Sequence, residues 1–94
     1  MDENPVSLDR DDEILEVNLR RAGSDFPEVV DIHEVVVGRT GERIQVSCHC
    51  TLPDALPMSR VHEIITALEN AFKLDCPEVS RLLIHPEPAT DNRR

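Results

Sequence analysis

Between Arg43 and Phe72 the apolar residues change spacing from every second position to every third or fourth, and this switch most restricts what the chain can fold into. From Arg43 to Leu52, the residues Ile44, Val46, Cys48, Cys50 and Leu52 alternate with Arg43, Gln45, Ser47, His49 and Thr51. That is the period of a strand with one apolar face. Pro53 and Pro57 break the pattern. Beyond them Val61, Ile64, Ile65, Leu68 and Phe72 fall at i, i+3, i+4, i+7 and i+11, the stripe of a helix lying on a core.

The flanking segments extend this unit. Leu15, Leu19 and Ala22 recur at helical spacing and Phe26 continues the series, which predicts a first helix between Asp9 and Ala22. Asp9 is placed to cap it, and the acidic run from Asp9 to Glu13 suits the positive end of the helix dipole better than it suits a cation site. Gly23 ends the helix and Pro27 lies beyond. Val29 to Val37 is rich in Val and Ile, and residues Gly38 to Gly41 supply a turn, so a hairpin with Arg43 to Leu52 is expected. Cys76 and Pro77 open a last strand, about Val79 to His85, with Leu82 and Ile84 on one face and Leu83 and His85 on the other.

A strand–helix–strand connection is nearly always right-handed and makes its strands parallel, so the last strand should lie beside the second, which becomes central. The expected fold is α+β, a ferredoxin-like open-faced sandwich in the order α-β-β-α-β. Its three-stranded mixed sheet carries two helices on one face. The other face is bare, which invites a partner. Aperiodic polar ends predict mobile segments at residues 1–8 and 89–94 around a domain at residues 9–88.

Ninety-four residues support one core, and with Phe26 and Phe72 as the only aromatics that core must be aliphatic. Nineteen Asp and Glu against ten Lys and Arg give a formal charge of −9, which repels a phosphate backbone or an anionic bilayer and excludes nucleic acid as an expected partner. No apolar run approaches the roughly 18–20 residues that cross a bilayer, so no direct membrane insertion by this chain is expected. An odd count of three cysteines is no disulfide framework and points to a reducing, cytoplasmic setting. With three glycines and no phosphate-cradling or nucleophile-elbow motif, the chain is not expected to be an enzyme.

The chemistry lies in four histidines: His33 on the first strand, His49 on the second, His62 in the second helix and His85 at the end of the third strand. His49 is out of phase with Val46 and Cys48, and His85 with Leu82 and Ile84, so both should face the bare side and converge if their strands are adjacent. Glu87, two residues past His85, can place a carboxylate beside an imidazole, a donor pair that zinc accepts. His62 lies on the flank of the helical stripe and approaches only if the last strand brings His85 near it. Cys48 and Cys50 bracket His49, but alternation sends their sulfurs to the apolar face, as core residues.

This order of elements and these histidines resemble the cytoplasmic C-terminal domain of cation diffusion facilitators, exporters of zinc, cadmium, iron or manganese. The resemblance runs from about Asp9 to Pro88. It is carried by residues 27–34 around His33, the turn at 39–41, residues 44–49, the helix start at 59–64 and residues 84–88. It implies a homodimer that binds zinc or a similar divalent ion near its interface and thereby regulates transport. It also implies metal ligands at His33, His49, His62, His85 and Glu87, the last standing where such transporters typically carry Asp. The chain would be either a domain whose partner is the transmembrane part of a parent transporter or a free-standing relative. Two alternatives stay open: a structural dimerisation module whose histidines bind nothing, and a cytosolic metal chaperone or buffer.

Overall fold

A computed structural model describes residues 10–92, ordered as α1 (Arg10–Gly23), β1 (Asp31–Thr40), β2 (Arg43–Leu52), α2 (Met58–Asp75), β3 (Arg81–Pro88) and a short 3-10 helix (Ala89–Asn92). The expected cap Asp9, the expected mobile segment 1–8 and residues 93–94 lie outside the described residues. β2 is the central strand, antiparallel to β1 and parallel to β3, in the sheet order β1-β2-β3. The α-β-β-α-β sandwich with a mixed sheet is thus the observed fold.

Alternation along β2 decides which side is which. Val46, Cys48, Cys50 and Leu52 point to the helices and are at most 3 % exposed. They meet Leu15, Leu19 and Ala22 of α1 and Ile64, Leu68 and Phe72 of α2, which close a core completed by Ile32, Cys76, Val79 and Leu82. Burying a Leu or Phe side chain contributes about 1.5–3 kcal/mol, so this layer supplies most of the stability. Polar ties fasten the helices to the sheet. Arg60 of α2 forms a forked pair with Glu28, at 2.8 and 3.0 Å, just before β1. Arg20 of α1 donates to the Ile32 carbonyl, and Arg39 of β1 pairs with Asp12.

Three boundaries differ from the sequence expectation. β1 runs on through Gly38, Arg39 and Thr40, which pair with Gln45, Ile44 and Arg43. The turn is therefore only Gly41 and Glu42, where Gly41 takes the positive φ of 61° that a tight hairpin needs. β3 starts at Arg81 and continues past His85 to Pro88, because as an edge strand it tolerates prolines whose missing N–H would face outward. Residues 89–92, expected to begin the tail, form the 3-10 helix, where Thr90 donates from its backbone N–H and hydroxyl to Asp54 at 3.1 and 2.6 Å.

Candidate metal centre

On the side of the sheet opposite α1 and α2 the three strands set an imidazole each at the same level. The register pairs His33 of β1 with His49 of β2, and His49 with His85 of β3. Ring centroids are 5.5 Å apart for the first pair and 5.0 Å for the second. This row is what antiparallel and parallel neighbours with matching phase produce.

Glu87 reaches into the row from further along β3. Its Oε1 lies 3.3 Å from His33 Nε2, and its Oε2 is hydrogen-bonded to His49 Nδ1. Donor atoms of His33, His49 and Glu87 all fall within 4.8 Å of one another. His85 is exposed and borders the group through the His49 ring. His62 is exposed on α2 and is not among the converging residues.

Two more carboxylates, which the sequence reading did not single out, stand behind the imidazoles. Asp31 Oδ2 lies 3.1 Å from His33 Nδ1, at an angle that makes no hydrogen bond, so this buried nitrogen has no satisfied partner. Glu34 Oε1 lies 3.3 Å from His49 Nε2. Asp31 carries a weak signal in the sequence, since residues 31 and 33 share a strand face. Glu34 carries none, because regular alternation would send it to the helices. A bulge reverses that: His33 pairs with His49 but Val36 with Ser47, which leaves Glu34 and Val35 together opposite Cys48. Val35 packs against the core, and Glu34 sits outside at a φ of +53°. The hydroxyl of Thr51, a fully buried residue in register with Asp31 and Glu87, is likewise unpartnered.

The charges are mutually adjusted. The hydrogen bond to Glu87 holds His49 protonated to a higher pH than usual, against some desolvation and with help from the Glu34 and Glu87 charges. Conversely the His49 bond keeps Glu87 ionised below the usual carboxylate range, opposed by desolvation and assisted by the charges of His49, His33 and His85. Without an ion, a proton therefore occupies the place where the lone pairs converge. On the other side of β2, burial pushes the Cys48 thiol up to about 12 and the Cys50 thiol up to about 11, so neither supplies a thiolate near neutral pH. Two imidazoles and a carboxylate fit a borderline divalent cation of the zinc type better than calcium or magnesium, which prefer all-oxygen shells.

Comparisons with known proteins agree with this architecture. The family model described as the cytoplasmic domain of cation efflux proteins matches residues 11–89. The fold is similar to the metal-bound C-terminal domain of the CzcD transporter from Thermotoga maritima, with a TM-score of 0.80 at 17 % identity over 87 % of this chain and 95 % of that one. A crystal structure of the cytosolic domain of a cation diffusion facilitator family protein superposes equally, at 0.80 and 17 % identity over 88 % and 99 %. A MamM C-terminal domain variant in its manganese form gives 0.70 at 16 % identity, over 81 % of this chain and 96 % of that one. No curated protein matches the sequence.

Proposed function

The chain belongs to the family of cation efflux protein cytoplasmic domains, and on that premise we propose that it is a metal-sensing, dimerising regulatory domain that binds zinc or a similar divalent ion. The observation that carries this reading is the convergence of His33, His49 and Glu87 from three adjacent strands on the side of the sheet opposite α1 and α2. Binding is the proposed role, with no catalytic step.

In this reading His49 and Glu87 would hold the ion in place of the proton they share, and His33 would join them from β1. His33 would offer Nε2, His49 Nδ1 and Glu87 its carboxylate, the atoms that already face each other. His85 is the proposed further ligand nearest the group. His62 stands apart from the cluster of its own chain, so its proposed part is that of a donor from a second copy. The exposed Val36 and the half-exposed Leu83, on the same face, support a contact between copies there.

Zinc titration by calorimetry, with native mass measured after zinc and after chelator, tests the proposal. A saturable site lost in His49→Ala, together with a dimer that tightens with zinc, is the expected result. A dimer indifferent to chelator and no saturable zinc uptake would leave only a structural pairing module.

A further inference from the structure

Each imidazole at the centre has one nitrogen facing Glu87 and the other facing a separate carboxylate. His33 presents Nε2 to Glu87 and Nδ1 to Asp31; His49 presents Nδ1 to Glu87 and Nε2 to Glu34. We infer that Asp31 and Glu34 are positioning residues that fix the tautomers of the two histidines once an ion displaces the proton His49 shares with Glu87, so that each then turns a lone pair toward the site and an N–H away from it. This rests on the metal-binding reading above.

A neutral imidazole has one lone pair and one N–H, and whichever nitrogen keeps the proton cannot ligate. An acceptor behind a ligating histidine selects the tautomer, holds the ring plane and raises the basicity of the ligating nitrogen. His33 needs such an acceptor because its Nδ1 is buried without a hydrogen bond, and Asp31 Oδ2 is the carboxylate within 3.1 Å of it. Glu34 comes to lie 3.3 Å from His49 Nε2 by a less ordinary route. Were β1 regular, residue 34 would oppose Cys48 and point under the helices. The extra residue at the bulge lets Val35 take that inward place and puts Glu34 over the open face.

The backbone at Glu34 makes the case specific. A φ of +53° is a left-handed conformation that a side chain with a Cβ disfavours and glycine adopts freely. Such backbone persists at sites where the side chain has a task. Glu34 is 66 % exposed on its side chain and lies against His49, so packing does not account for its presence.

The same property separates a positioning role from a structural one. Glycine at position 34 suits the backbone and removes the carboxylate. Glu34→Gly is expected to leave the thermal midpoint of the metal-free protein unchanged or raised, while zinc affinity falls about 10- to 100-fold. Glu34→Gln, which keeps a neutral acceptor, should fall between glycine and wild type. Asp31→Asn should weaken zinc by a similar factor. Nitrogen-detected NMR of the zinc-loaded wild type should show the His49 proton on Nε2 and the His33 proton on Nδ1, with the His49 assignment lost or mixed in Glu34→Gly. Equal zinc affinity in wild type, Glu34→Gly and Asp31→Asn would overturn the inference while leaving the metal site standing, as would zinc found on Nε2 of His49. Failure of the wild type to bind zinc would instead bring down the metal-binding reading, and this inference with it.

Discussion

Cys48 and Cys50 point from β2 into the layer beneath the helices, whereas His49, between them, points to the uncovered side. The two sides share one backbone and differ in every physical respect. On the helical side, the core residues are at most a few per cent exposed and the thiols are held neutral by burial. On the open side, imidazoles and carboxylates meet with their lone pairs turned toward one another and buried polar atoms left without partners. Stability is concentrated in the first side, and binding chemistry in the second. Because adjacent residues serve different sides, substitutions a single position apart should have separable effects.

The largest effect belongs to the core. Leu68→Ala, at a fully buried position of α2, should lower the unfolding free energy of metal-free protein by about 2–5 kcal/mol in urea titration. Zinc affinity of the folded fraction should change by less than about threefold. A loss of affinity that tracked the loss of stability would show that the two sides are not independent.

The opposite result is expected from His49→Ala. Removing a central residue of the proposed site should weaken zinc by about 100-fold, about 2.7 kcal/mol, in a competition titration. Metal-free stability should change little by comparison, since the lost pair with Glu87 is partly exposed and screened by solvent.

Acidity gives a smaller, graded version of the same separation. The folded pKa of His49 lies above its usual value, so the His49–Glu87 pair stabilises metal-free protein fully below pH 6.5 and less as pH rises through the folded value. Zinc at the proposed site needs the neutral imidazole and should show the reverse dependence. Glu87, with its pKa lowered, remains a carboxylate across this window. Zinc affinity should therefore fall at least about tenfold between pH 7.5 and 5.5, while the unfolding midpoint of metal-free protein does not fall in step. Affinity flat across that interval would argue against imidazole ligands.

The order of elements, the parallel pairing of β2 and β3 and the inward placement of Cys48 and Cys50 were all legible, because each follows from the phase of apolar residues. The phases of His49 and His85 were legible for the same reason. What escaped were departures from periodicity. The bulge at Glu34 and Val35 leaves no mark in a run of three valines, each of which suits a strand. Gly38 read as turn although it pairs within β1, and the last strand read as ending at His85 although the edge strand runs on through Pro86 and Pro88. Glu87 thus lies inside β3, in register with Thr51, and this is what turns its carboxylate back across His49 toward His33.

The smallest expected effect concerns the cysteines, whose spacing around His49 imitates a thiolate metal box. Their sulfurs leave β2 on the helical side, and desolvation holds Cys48 at about 12 and Cys50 at about 11, with the Cys50 and Asp31 charges respectively adding to the shift. At pH 8 a solvated thiol is partly ionised, near its usual value of about 8.5, and these are not. Iodoacetamide should therefore label Cys48 and Cys50 slowly in native protein and rapidly in denaturant, and the double change to Ala should alter zinc affinity by less than about threefold. Because both folded values are raised, the thiols contribute full stability below the pH at which unfolded thiols ionise. That contribution is lost as pH climbs through the folded values, so native protein should weaken above about pH 9, and less so in the double variant. Rapid native labelling that zinc protects would place a sulfur on the open face and erase the division between the two sides.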